Sequence, residues 1–185
     1  MNISAIIPVW NGRELLACLL DSLDAQTQPP TEIVVVDNGS TDGAPELARK
    51  RGARILAMGS NAGFARAVNR GIAESAGDWI AVLNSDVELA PDYLEALADT
   101  DAWFATGRIL RTGAHGRIDA AFDALSRGAT AWRVGNNRED GPAFASARAI
   151  WSAPWTAALF RRELFRRAGV LEESFESYLE DVDFG

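Results

Sequence analysis

The residues of this 185-residue chain best suited to chemistry sit in short polar segments that each follow an apolar run. Trp10-Asn11-Gly12 follows Ile3–Val9, Asp37-Asn38-Gly39-Ser40 follows Glu32–Val36, and Asn84-Ser85-Asp86 follows Trp79–Leu83. An aspartate in such a position offers hard oxygen donors that suit Mg²⁺ or Mn²⁺, ions that commonly share their coordination shell with substrate phosphates. The same residue types also make ordinary turns and helix caps, so Asp86 and the stretch 37–43 carry both readings. A further concentration of carboxylates lies near the end: Glu172, Glu173, Glu176, Glu180, Asp181 and Asp183. Charge runs are usually solvated, but Phe175, Tyr178 and Phe184 interleave with this one and argue for a partly buried segment.

The elements that must position these residues alternate. Ile3–Val9 is a continuous apolar strand ended by the Trp10-Asn11-Gly12 turn. Leu15, Leu16, Leu19, Leu20 and Leu23 then recur at helical spacing, up to a stop at Gln28-Pro29-Pro30. Strands are expected at Glu32–Val36, Arg54–Ala57 and Trp79–Leu83. Helices are expected at Gly43–Arg51, Gly63–Ser75 and Pro91–Ala98, the last with proline in its first turn. Beyond residue 100 the pattern loosens. Trp103–Leu110 and Trp155–Phe160 read as strands, Arg162–Ala168 as a helix, and Phe175–Phe184 as a segment that begins one. Residues 111–150 show no clean period and read as loops, short strands and a partner-facing region. Repeated strand–helix units with apolar strands imply a parallel sheet covered on both faces. In such sheets ligands bind outside the carboxyl ends of the strands, where the polar segments lie.

Several functions are excluded. A net charge of −8 disfavours a nucleic-acid binder, leaving only a local basic patch at Arg161, Arg162, Arg166 and Arg167. The single Cys18 forms no internal disulfide or cysteine zinc site and reads as a buried structural thiol. His115, alone in a glycine-flanked stretch, reads as a surface residue. No apolar run approaches the roughly 18 residues of a membrane span, and no signal peptide precedes the first strand, so a cytoplasmic location is expected. A P-loop is absent, because Lys50 lies between Arg49 and Arg51. A dinucleotide fingerprint is absent too, because Pro8, Val9 and Trp10 occupy the first turn with only Gly12.

Five segments in order carry a resemblance: Ile6-Ile7-Pro8-Val9-Trp10-Asn11-Gly12, Val34–Gly43, Asn61–Gly71, Leu83-Asn84-Ser85-Asp86 and Tyr178-Leu179-Glu180-Asp181-Val182-Asp183. Over nearly the whole chain they resemble family 2 glycosyltransferases of the GT-A fold, particularly the rhamnosyltransferase-like branch. The resemblance implies a single α/β domain with an open, mostly parallel twisted sheet and helices on both faces. Residues 1–100 would form a Rossmann-like donor half, and residues 101–185 an irregular acceptor-side half ending at the Glu-Asp motif.

By the same resemblance Pro8, Val9, Trp10, Asn11, Asp37, Asn38 and Ser40 would hold the base and ribose of a nucleotide sugar. Gly63, Phe64, Arg66 and Asn69 would lie near its phosphates, although a plain helix start explains Arg66 equally well. Asn84, Ser85 and Asp86 match the family's Asp-x-Asp metal motif, with Asn at its first position. Asp86 is then a lone carboxylate holding Mg²⁺ or Mn²⁺, and metal binding is expected to be weak without nucleotide. Asp181, beside Glu180, would be the general base of an inverting transfer. Trp155 and Thr156 would lie on the acceptor side, with a buried core role for Trp155 as the alternative. The implied donor is a dTDP-rhamnose-like or UDP-sugar, and the implied acceptor is a hydroxyl of a glycan, polysaccharide or lipid-linked sugar. Association with the inner face of a membrane and homo-oligomerisation are left open. Relatives usually continue beyond the Glu-Asp motif, which implies a truncated or compact form. A nucleotide-sugar-binding domain without turnover is therefore the second reading. A nucleotidyltransferase is a remote third, since the Gly- and Arg/Lys-rich loop expected after its first strand is absent.

Overall fold

Seven consecutive buried residues, Ile3–Val9, form strand β1 inside a six-stranded sheet. In the computed structural model, which describes residues 1–113, 116–128, 130–175 and 179–184, alternate β1 side chains enter opposite cores. The expectations for His115, Glu176 and Tyr178 lie outside the described residues. Helix α1 (Arg13–Asp24) leads to β2 (Glu32–Asp37), α2 (Ala44–Lys50), β3 (Arg54–Ala57), α3 (Phe64–Glu74), β4 (Trp79–Leu83) and α4 (Tyr93–Ala98). Short strands follow: β5 (Phe104–Thr106), β6 (Ile109–Leu110), β7 (Ile118–Ala120), β8 (Phe122–Leu125) and β9 (Ala131–Val134). The last elements are β10 (Ala157–Arg161), α5 (Arg162–Ala168) and α6 (Glu180–Phe184).

The sheet runs β3-β2-β1-β4-β10-β5. The first four of these strands pair in parallel, and β10 lies antiparallel between β4 and β5. The fold is thus the mostly parallel α/β sheet expected. Because β10 joins the sheet beside β4, both parts of the chain share one sheet. One core packs Ile3, Ala5, Ile7 and Val9 against Leu16, Leu19, Leu20 and Leu23 of α1, with Ala44 of α2 and Leu94 of α4. The other packs Ile6, Val34 and Val36 against Ala67, Val68 and Ile72 of α3, together with Trp155, Phe160 and Phe165.

Helix α3 lies so close to β1 that a Cβ at Gly71 would meet Ile6 Cγ2 at 2.3 Å and Val36 Cγ2 at 3.2 Å. Overpacking of this kind costs about 1–3 kcal/mol. Gly71→Ala is expected to lower the urea midpoint accordingly, and an unchanged midpoint would show that α3 shifts freely on the sheet.

Some expectations are corrected. The run Trp103–Leu110 is two strands, β5 and β6, because Gly107 brings the backbone against the Tyr93 ring and donates its N–H to Tyr93 Oη at 3.2 Å. Cys18 is exposed, since it projects from α1 beside the leucine stripe rather than within it. The arginines of 161–167 make no free basic patch. Arg162 donates to Gly77 O, Ile72 O and Ser75 Oγ; Arg161 donates to Thr100 O and Ala102 O; Arg166 and Arg167 pair with Glu163. Among the described residues no helix is long and apolar enough to cross a membrane.

Candidate functional site

Strand β1 is flanked by β2 on one side and β4 on the other, so the strand order reverses between β1 and β4. This is the switch point at which open α/β sheets bind ligands. The loops there are tied together by side chains. Asn11, at φ 62°, donates its N–H to Ser40 Oγ at 2.8 Å, and its Oδ1 accepts from Thr41 N at 2.9 Å. Asp37 Oδ1 accepts from Ser40 N at 2.9 Å. Pro8 and Val9 are buried in the sheet, so only their backbone faces the loop region, whereas Trp10 is 60% exposed.

Asn38 is buried and largely occupied. Its Nδ2 donates to Gly63 O at 3.2 Å and its Oδ1 accepts from Ala62 N at 3.4 Å. One amide hydrogen remains for a ligand; otherwise Asn38 fixes the loop in which Gly63 and Phe64 start α3. Asn69 and Arg66 point elsewhere. Asn69 is buried, with its Nδ2 on Leu171 O and Glu173 Oε1 and its Oδ1 accepting from Leu171 N, so its capacity is spent on the segment after α5. Arg66 pairs with Glu173 at 3.4 Å. Both line a shallow depression with Met58 and Arg70, apart from the cleft at the end of β4.

That cleft, about 370 Å³, opens where Asn84 leaves β4. Asn84 N donates to Thr156 O at 2.8 Å, which brings Trp155 and Thr156 beside it. Phe64, Trp132 and α6 complete much of the wall. Trp155 is 2% exposed and packs on Phe160 and Phe184 at ring distances of 4.5 and 5.1 Å. Its indole is core and is not free to stack on a ligand, because the aromatic cluster surrounds it. Leu179 turns the chain into α6 with φ 71°, an unfavourable value for a bulky residue. Glu180 then points inward, 6% exposed, with Oε2 lacking any partner among the described residues. Burial, and secondarily the neighbouring Asp181 charge, push the Glu180 carboxyl above its ordinary range. Asp181 is half-buried and receives Val182 N on Oδ1 at 2.9 Å.

Asp86 is an exposed carboxylate just past β4, and no described residue donates a hydrogen bond or ion pair to it. Among the described residues no group of three or more His, Cys, Asp or Glu is arranged to hold a metal ion. Asp86 is thus an unengaged carboxylate just past β4, with Ser85 half-buried beside it.

A residue missed by sequence reasoning shares the cleft. Asp123 on β8 is 4% exposed with an unpartnered Oδ2. Burial first, then the Asp181 charge, push its carboxyl up to about 6, against a smaller opposing effect of Arg133. It lay in a stretch with no period, and its only local signal was an isolated acid within the apolar run Ala120–Leu125. Because the folded pKa lies above the unfolded one, ionising Asp123 opposes folding, and stability falls as pH rises from about 4 to 6. The full shift corresponds to about 3 kcal/mol, reduced to roughly 1–2 by water in the open cleft. Asp123→Asn is expected to raise the melting temperature at pH 7.5 and leave it unchanged near pH 4, as read by calorimetry. A lower melting temperature at pH 7.5 would contradict this burial cost.

With this geometry in place, the similarities to known proteins are specific. Residues 4–169 match the model of glycosyl transferase family 2. An N-acetylglucosaminyl-diphospho-decaprenol L-rhamnosyltransferase of Mycobacterium tuberculosis is 32% identical over an alignment covering 90% of this chain and 63% of that protein. The chain thus spans less than two thirds of that relative's length. The fold matches a mannosyltransferase of Pyrobaculum calidifontis in complex with GDP-Man and Mn²⁺, with TM-score 0.68, 20% identity, and 99% of this chain and 50% of that one covered. It also matches S. aureus TarS in complex with UDP-GlcNAc, with TM-score 0.73, 20% identity, and 100% and 52% covered. The sheet is accordingly that of the GT-A glycosyltransferases, and the chain belongs to glycosyl transferase family 2.

Proposed function

We propose that this chain carries the donor site and general base of an inverting glycosyltransferase, moving a sugar from a nucleoside-diphosphate sugar to an acceptor hydroxyl. The observation that carries the reading is the shared cleft of Asn84, Glu180 and Asp181 beside the switch point. Residues 1–100 act as the donor half and 101–185 as the acceptor side. Asp37, Ser40 and the backbone of Pro8–Asn11 receive the nucleoside, with Asn38 holding the 61–63 loop in position.

Asp181 takes the proton of the acceptor hydroxyl as its oxygen attacks the anomeric carbon, and the nucleoside diphosphate leaves from the opposite face. Asp86 would hold a Mg²⁺ or Mn²⁺ together with the donor's diphosphate, because hard cations of this kind are commonly held by one or two carboxylates plus phosphate. When bound, that cation neutralises charge on the departing diphosphate. The name of the M. tuberculosis relative supports rhamnose as the sugar, as in a dTDP-rhamnose-like donor, and a decaprenyl-diphosphate-linked sugar as the acceptor, whereas the TarS complex supports a UDP-sugar.

A thermal-shift series with dTDP, UDP, GDP and their sugars, with and without Mn²⁺, tests the reading. Ligand at 100 times its Kd adds about 2.7 kcal/mol, or roughly 5–10 °C for a chain of this size. At least one nucleotide is expected to do so with metal present. No shift from any of them would sink the proposal.

A further inference from the structure

We propose that Asp123 anchors the acceptor: its Oδ2 accepts a hydrogen bond from one hydroxyl of a neutral pyranoside whose ring rests on Trp132 and whose neighbouring hydroxyl faces Asp181. The inference rests on the reading of Asp181 as general base and adds the residues that hold its substrate.

The lining of the cleft selects this chemistry. Asp123 Oδ2 and Glu180 Oε2 are the buried side-chain oxygens without a partner among the described residues, and both belong to this one cleft. A buried polar atom left unpaired costs about 1–3 kcal/mol, more when charged, and such groups are rare in folded proteins. A ligand that supplies O–H donors removes the cost.

The cross-strand partner of Asp123 is Arg133, but Arg133 Nη1 is held by Asp119 Oδ2 at 2.8 Å, which leaves Asp123 unsatisfied. Three carboxylates, Asp123, Glu180 and Asp181, face Arg133 as the one cation of the lining. An anionic ligand is repelled there, whereas a neutral polyol finds several acceptors. Trp132, next to Arg133 on β9, lines the same cleft and is 49% exposed. An exposed indole at a polar wall offers the flat apolar face on which the C–H side of a sugar ring packs. Trp155 is closed off in the core, so Trp132 takes the stacking position.

The probe is octyl β-D-N-acetylglucosaminide, titrated calorimetrically onto the chain saturated with Mn²⁺ and whichever nucleoside diphosphate stabilises it. The wild type is expected to bind it saturably. Asp123→Asn, which loses the charge assistance, and Trp132→Ala, on an exposed hairpin position, are each expected to weaken binding by about tenfold or more. Nucleotide affinity should stay within about twofold, and Asp123→Asn should melt no lower than wild type at pH 7.5. Nucleotide-bound wild type that ignores the glycoside up to about 10 mM, or variants that bind it like wild type, would overturn the acceptor assignment. Equal loss of nucleotide binding in Asp123→Asn would overturn it as well, by making the residue structural. Failure of the wild type to bind any nucleotide is a separate result, which overturns the glycosyltransferase reading itself.

Discussion

Replacing Asp181 by Asn is expected to abolish sugar transfer while leaving nucleoside-diphosphate affinity unchanged. The amide has the shape of the carboxylate and can still accept Val182 N, a bond of 2.9 Å, so α6 keeps its place. It cannot take a proton. Loss of a positioned general base costs typically 10²–10⁴-fold in rate, and the full range is expected here, since no other cleft carboxylate suits the role. Glu180 and Asp123 are both more buried than Asp181, so Asp181 is the cleft carboxylate most open to an acceptor hydroxyl. Initial rates of transfer, with calorimetric nucleotide affinity alongside, decide the matter. Turnover above about a tenth of wild type would move the base elsewhere.

The second large effect concerns metal. Asp86→Ala is expected to weaken Mn²⁺-dependent nucleotide binding by about 10–100-fold, a size typical of damage to a metal site. The affinity should fall to that of wild type in chelator. Without metal the two proteins should bind nucleotide alike. Asp86 is isolated: residue 84, two positions before it, is Asn rather than a second acid, and no group of three His, Cys, Asp or Glu that could hold a metal occurs among the described residues. A cation held this way depends on the diphosphate, so the free protein should bind Mn²⁺ weakly. Tight calorimetric binding of Mn²⁺ to the nucleotide-free chain would contradict the shared-ligand arrangement.

Much of the first hundred residues was legible in the chain because its signals are local. Apolar runs such as Ile3–Val9 and Trp79–Leu83 each became a strand with those bounds, and the leucine stripe of α1 became a buried face. Asp37 stood out because it follows such a run directly, and Asp86 because it lies three residues past one. Asn38 stood out in the same way and Asn69 through the resemblance of its segment, yet what they do depends on distant partners. Asn69 is saturated by Leu171 and Glu173, and Asn38 is held by the 61–63 loop with one amide hydrogen to spare. A residue's type states how many hydrogen bonds it can make, not which partners the fold will bring to it.

The division between Trp132 and Trp155 has the same origin. Both are tryptophans in poorly periodic sequence. Trp155 precedes β10 and is enclosed by Phe160, Phe165 and Phe184, whereas Trp132 stands on a hairpin outside the main sheet. Local pattern was enough to specify the alternating α/β elements, the polar strand ends and the Glu-Asp pair, because periodicity and turn chemistry act over a few neighbouring residues. It took the packed fold to bring Asp123 to the cleft of Asp181, to draw Arg133 to Asp119, and to leave Trp132 rather than Trp155 open to a ligand. Burial and electrostatic coupling arise between residues far apart in the chain, and they exist only once the sheet and its hairpins have packed.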